Sequence, residues 1–347
     1  MRKLHPKRAR PLARSILFST AVASAAPALA DHVGPSGVGT SSLAVFSPDT
    51  LDEGHWAVGA RVLYTRPEQR SDAELEALSA QGIDAHNTDY NLNSSIGVAY
   101  GITHELTISA ELPYVHRDDL REGVDGAVES LGSVSGIGDL SLLAKYRVTH
   151  GEGSGFAVIG GLKLPTGSTT QRGADGERLE TEHQPGSGSW DPVFGASAAT
   201  KLGTLRLTAS ALFQLSTRGA QDTRLGNRLQ GGIALSHRFG PAAHEHYEAV
   251  HDHHHGDELD EHASEPRHSS WDAFVELGGE WEGRQKIGNE VEQASGGKWA
   301  YLAPGLRFNS AGGWSAGAAF AVPIWQHVRA SHPDNRYRLM LSVGRAF

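Results

Sequence analysis

The chain has 347 residues, with 40 Asp and Glu against 31 Lys and Arg, a formal net charge of -9, 42 glycines and no cysteine. Without cysteine, neither a disulfide framework nor a thiolate metal site is available, and the acidic balance argues against nucleic acid as a partner and toward cations. No apolar run reaches the roughly 20 residues that a membrane-spanning helix needs, so the helical membrane class is excluded.

Residues 1–30 read "MRKLHPKRARPLARSILFSTAVASAAPALA", with six Lys/Arg, no acid, a short apolar run and Ala28-Leu29-Ala30 at the end. This is the pattern of a secretory signal peptide, with cleavage expected after Ala30. Removing its six positive charges takes the net charge of the 317-residue remainder to -15. Residues 31–53 read as a periplasmic N-terminal segment.

From residue 54 onward the chain alternates with a period of two. A strand that crosses an outer membrane needs about 9 to 11 residues, with apolar side chains toward lipid, mixed ones toward the lumen and aromatics near both interfaces. "HWAVGARVLYT" places Trp56, Val58, Ala60, Val62 and Tyr64 on one face, with an aromatic at each end. "YNLNSSIGVAY" turns Tyr90, Leu92, Ile96, Val98 and Tyr100 out and Asn91, Asn93 and Ser95 in. The pattern continues through "ELTISAELPYV", "GDLSLLAKYRV", "GFAVIGGLKLP", "WDPVFGASAAT", "LRLTASALFQL", "NRLQGGIALSHRF", "WDAFVELGGEW", "KWAYLAPGLRF" and "GWSAGAAFAVPIW" to the closing "NRYRLMLSVGRAF". The expected fold is all-β: a closed antiparallel transmembrane β-barrel of about 12 strands over residues 54–347, in the bacterial outer membrane. The terminal strand ending on Phe347 resembles the signal that the barrel assembly machinery reads. Trp56, Tyr64, Tyr90, Tyr100, Tyr114, Trp271 and Trp281 are expected in two lipid-facing girdles.

The connections fit one topology. Those after strands 1, 3 and 5 are long, and those after strands 2, 4, 6 and 10 are short, the outer-membrane pattern of long outside and short inside. The exception follows strand 8. There "HEHYEAVHDHHHGDELDEHASEPRH" packs eight histidines and eight carboxylates into 25 positions of a His-rich loop, residues 240–270, on the periplasmic side. Neutral imidazole suits Zn, Cu and Ni, which makes His244, His246, His251, His253, His254, His255, His262 and His268 the candidate metal ligands. They offer many ligand sets and no unique one. Two readings stay open: a low-selectivity divalent-metal site, or a solvated loop with incidental affinity.

The inner faces carry charge of both signs, at Arg61, Glu111, Asp139, Lys145, Arg147, Lys163, Asp191, Arg206, Gln214, Arg228, Asp272, Glu276, Glu280, Arg307, Arg336 and Arg338, with Phe274, Trp299 and Tyr301 also inward. Charge is tolerated at membrane depth where water or a partner charge meets it. A water-filled channel and a barrel plugged by paired side chains both satisfy that condition.

"GSVSGIGDLSLLAKYRV", "GLKLPTGSTT" and "PGSGSWDPVFG" resemble recurring elements of the outer-membrane transporters grouped under the MetA pathway of phenol degradation, over roughly Leu92 to Phe347. The resemblance implies a β-barrel and transport of small organic molecules, aromatic ones among them; the His-rich insertion departs from that pattern.

The G-x-S-x-G, H-E-x-x-H and phosphate-loop signatures are absent, and His237, the strand-borne histidine, has no evident serine partner, so no enzyme is expected. The expected function is passive passage of small solutes through an outer-membrane channel. No cofactor is required, and the contacts anticipated are outer-membrane lipid, a small-molecule solute and a divalent metal. The alternative is a metal-linked outer-membrane protein that acts through the His-rich loop.

Overall fold

The structure is a computed structural model and describes residues 45–151, 153–240 and 268–347. Twelve wall strands run through these residues: β1 (Trp56–Pro67), β2 (Tyr90–Gly101), β3 (Leu106–Val124), β4 (Ser141–Gly151), β5 (Ser154–Lys163), β6 (Asp191–Leu202), β7 (Leu205–Gln214), β8 (Arg228–Phe239), β9 (Ser270–Glu282), β10 (Gly297–Asn309), β11 (Trp314–Val328) and β12 (Asn335–Ala346). Each pairs antiparallel with the next. β12 returns to β1 in a register running from Ala57–Ala346 to Pro67–Asn335, so the sheet closes and has no free edge. Phe347 extends that ladder, donating its N–H to the Trp56 carbonyl at 2.8 Å and accepting from the Trp56 N–H at 3.3 Å.

Burial is inverted relative to a water-soluble fold. Ile96 is 63% exposed, Leu341 58% and Phe194 56%, whereas inward Glu276 is 0%, Asp191 1% and Arg307 3% exposed. Apolar area is left on the outside because lipid, not water, is the solvent there. No helix among the described residues is long and apolar enough to cross a membrane. Aromatics gather at both rims. Trp56 stacks near Tyr100 at 4.4 Å and Trp271 near Phe308 at 5.0 Å at one end. Tyr64 lies 5.4 Å from Tyr90 and 6.1 Å from Tyr337 at the other. Such belts seat amphipathic rings at the headgroup level.

The end carrying the short turns, such as 203–204 and 310–313, is the periplasmic one by the outer-membrane rule. The longer connections 68–89, 164–190, 215–227 and 283–296 emerge at the opposite, extracellular end. The first of these holds helix α1 (Asp72–Ser79), capped by the Ser71 hydroxyl, which accepts from the Glu74 N–H, and a short strand Ala85–Asn87 paired to Arg121–Gly123 of β3. The stretch after β3, read from sequence as a loop, is instead a hairpin. Strand Ala127–Ile137 folds back on the upper part of β3, lengthening the wall beyond the membrane. Its Leu131 and Val134 are buried against Leu120 of β3 and Leu179 of the 164–190 connection, while Glu129, Ser130 and Ser133 are exposed.

Candidate functional site: the lumen and its mouth

On the β4–β7 wall, inward Leu143, Ile159, Val193 and Leu212 make an apolar patch that runs from mid-height toward the extracellular end, and Phe46 packs on it. The N-terminal segment was expected in the periplasm; of its described residues, 45–53, the stretch 45–51 lies inside the barrel. Its Phe46 N–H donates to Ser210 Oγ at 2.8 Å, Lys145 Nζ donates to the Ser47 carbonyl at 3.1 Å, and Arg206 meets Asp49 at 2.6 Å. Leu51 packs against Ala57 and Ala99. The segment passes so close to β2 that a Cβ on Gly101 would stand 2.0 Å from the Asp52 carbonyl oxygen. An apolar patch inside a polar lumen needs a cover, and this stretch supplies it.

On the β9–β12 side, Arg338 on β12 bonds both oxygens of Glu280 on β9, at 2.6 and 3.0 Å, and its guanidinium lies 4.2 Å over the Tyr301 ring. Asn335 Nδ2 donates to the Tyr301 hydroxyl at 2.9 Å, and Trp299 faces inward beside them. These side chains, from β9, β10 and β12, narrow the lumen to a constriction with aromatic walls and a charged centre. The other inward charges are held as well. Arg61 pairs with Glu111 at 3.2 Å across β2, Arg238 bonds both oxygens of Asp272, and Asn309 donates to Asp272 at 2.9 Å. Arg228 meets Glu282 at 3.3 Å. Arg307 sits beside Asp272 in the β9–β10 ladder, and Glu276 is fully buried on the same inner face. Arg147 lies near Gly155 at the periplasmic end, Gln214 donates to Asp191 at 3.0 Å, and Arg336 is exposed at the top of β12.

Asp139, Lys163 and Asp191, one charged residue from each of the three quoted motifs, form one buried cluster at the extracellular rim. Lys163 Nζ lies 2.8 Å from Asp139 and 2.9 Å from Asp191, and also bonds the Ser187 hydroxyl. Ser187 donates to Asp139 through its N–H at 2.8 Å and its hydroxyl at 2.6 Å. Around them Gly138, Gly167 and Gly186 touch backbone to backbone: a Cβ on Gly167 would stand 2.7 Å from both Gly138 C and Gly186 Cα. The motifs therefore fasten the 164–190 connection down over the barrel end. Asp139 and Lys163 face the interior but lie beneath that connection rather than along an open path.

Above the constriction is a mouth cavity of about 410 Å³, whose walls include His86, Arg117, Glu182, His183, Trp299 and Arg338. Five extracellular connections, 68–89, 164–190, 215–227, 283–296 and 329–334, contribute to it. His86, the adjacent Glu182 and His183, and His332 were not singled out from sequence, since they are scattered over three separate connections. Of the histidines that were singled out, 244 to 262 lie outside the described residues; the flanking pair Phe239–Trp271 places both ends of their loop at the periplasmic rim, and His268 is exposed there. His237 is also at that rim, with its ring 4.4 Å from Phe239 and Nδ1 3.0 Å from the Thr204 carbonyl.

A family model described as "Putative MetA-pathway of phenol degradation" matches residues 70–274, more than half of the chain. Among solved structures, the COG4313 outer membrane channel from Pseudomonas putida F1 superposes with a TM-score of 0.53 at 15% identity, covering 86% of this chain and 97% of that one. The β domain of the Bordetella autotransporter BrkA gives a TM-score of 0.45 at 10% identity, over 85% and 100% of the two chains. The CymD monoaromatic hydrocarbon channel gives 0.38 at 10% identity, over 92% and 98%. At these identities the first of the three speaks for the fold, and the other two carry no argument. No curated protein matches the chain.

Proposed function

Because this chain belongs to the family described as the MetA pathway of phenol degradation, an outer-membrane channel or transporter, we propose that it passes small organic solutes bearing a polar group, aromatic ones among them, by passive diffusion. The observation that supports this reading most is the constriction below the mouth, where Trp299 and Tyr301 stand beside Arg338. Ring faces bind planar solutes by stacking, and a guanidinium donates to a carboxylate or hydroxyl oxygen. A greasy conduit would not keep charge of both signs along its inner wall. Passage requires residues 45–51 to yield, because they run up the lumen from Asp49 at Arg206, near the periplasmic end, to Phe46 against Ser210.

The test is permeation through liposomes and planar bilayers containing the purified protein. Benzoate should enter faster than its saturated ring analogue, and Trp299→Ala should abolish the difference. Equal rates for both solutes in the wild type would overturn the substrate class, and no permeation even with residues 45–51 displaced would overturn the channel.

A further inference from the structure

Three side-chain atoms in the extracellular mouth face one another and have nothing else to bond. His86 Nδ1 lies 3.6 Å from Glu182 Oε1, and His183 Nε2 lies 3.7 Å from the same oxygen. Each of the three is buried without a hydrogen-bond partner. His86 is 8% and His183 2% exposed. All three lie within 4.8 Å of one another. Leaving three buried polar atoms unsatisfied in one spot costs about 1 to 3 kcal/mol each. Ligand atoms about 2.0 to 2.1 Å from a tetrahedral zinc stand about 3.4 Å apart, close to the two separations found here.

We propose that His86 Nδ1, His183 Nε2 and Glu182 Oε1 form a binding site for a divalent transition metal of the zinc class, which cross-links two extracellular connections over the mouth of the barrel. Two imidazoles and a carboxylate suit Zn, Ni, Co or Cu rather than Mg or Ca. The mouth cavity, which these residues line, leaves a fourth position for water or a solute.

The surroundings are those of a prepared site. Burial, aided by Arg117 and His332, pushes His183 down to about 3, and burial with the neighbouring His183 and His332 holds His86 well below the usual range, so both rings are in the neutral, ligating form at neutral pH. Glu182 is pushed up to about 8 by burial and by the nearby carboxylates Asp84 and Glu180, a crowd of acids that a dication relieves. His86 Nε2 lies 2.9 Å from His332 Nδ1. With Nδ1 of His86 as the ligand, its Nε2 carries the proton and donates to His332, the outer bond that fixes a ligating ring. The main chain is held too. The Arg117 guanidinium donates to the carbonyls of Glu182, His183 and Gln184 at 3.3, 3.1 and 3.4 Å. Arg70 donates to those of Ala330 and His332 at 2.7 Å each, and the His86 N–H donates to Ser331 at 3.1 Å.

The test uses the full chain with His244, His246, His251, His253, His254, His255, His262 and His268 all replaced by Ala, which removes the competing tract. After chelator treatment this protein should bind one Zn2+ per chain by calorimetry and give the visible absorption of tetrahedral Co2+. His332→Gln should weaken Zn2+ binding about 10- to 100-fold. The near-isosteric Glu182→Gln, and His183→Ala, should weaken it further, with heat-modifiable migration showing that the barrel is intact. No bound Zn2+ in the tract-free chain, an octahedral Co2+ spectrum, or unchanged affinity in His183→Ala would each overturn the site. None of these readings depends on solute permeation.

Discussion

The guanidinium of Arg338 holds both carboxylate oxygens of Glu280, at 2.6 and 3.0 Å, although β10 and β11 stand between their strands in the wall. The pair is a chord across the lumen rather than a contact between neighbours. It braces that quarter of the barrel and narrows the route at the same point.

Breaking the chord from one side leaves a charge facing a poorly solvated wall. Arg338→Ala should destabilise the barrel by about 3 kcal/mol, and the double variant Arg338→Ala/Glu280→Ala by less, since breaking a buried pair costs more than deleting it. Unfolding in denaturant, followed by the loss of heat-modifiable migration, gives the two values; equal losses would refute the argument. Single-channel conductance should rise in the double variant.

Asp49→Arg turns the contact with Arg206, 2.6 Å in the native protein, into a like-charge repulsion beside Lys145 as well. Residues 45–51 should leave the lumen, and liposomes containing the variant should leak small sugars that the wild type excludes. Phe46→Ala, which uncovers the patch of Leu143, Ile159, Val193 and Leu212, should act in the same direction more weakly.

Lys163→Met leaves Asp139 and Asp191 buried with no cation between them. The expected cost is about 3 to 5 kcal/mol, read as a lower temperature for the heat-modifiable band shift and as new protease cleavage within 164–190. Gly167→Ala should give the same cleavage by a different route, because its Cβ would meet Gly138 and Gly186 backbone at 2.7 Å.

The periplasmic histidine tract should bind divalent metal by the ordinary N/O preference, Cu above Ni and Zn. Binding should collapse as pH falls through about 6.5, because a protonated imidazole has no lone pair to give. Replacing His251, His253, His254 and His255 with Ala should reduce the stoichiometry in calorimetry at pH 7.5 and leave migration unchanged; the same stoichiometry in both proteins would make the tract a solvated loop.

All twelve wall strands were legible in the sequence, for a physical reason. Lipid on one side and water or charge on the other force a strict two-residue period, visible in windows as short as Trp56–Tyr64. Beyond the membrane no lipid forces that period, and Ala127–Ile137, whose buried Leu131 and Val134 are three positions apart, was read as a loop. Residues 45–51 read as part of a periplasmic segment because nothing local in "VFSPDTL" reports that Phe46 meets Leu212, more than 160 positions away. The motifs marked Asp139, Lys163 and Asp191 without revealing that they meet. The dense histidine tract drew attention that the scattered His86, His183 and His332 did not, since convergence of single residues from three loops leaves no pattern along the chain.

His86 and His332 are 246 positions apart and 2.9 Å from each other. They are neighbours because β1 and β12 share a ladder. The mouth is therefore a checkpoint on completion. A chain that has emerged only as far as β11 presents Arg70 without the carbonyls of Ala330 and His332, and His86 without the ring it leans on. The extracellular surface takes its final form only when the last strand finds the first, so a probe that recognises this corner of the molecule distinguishes finished barrels from those stalled one strand short.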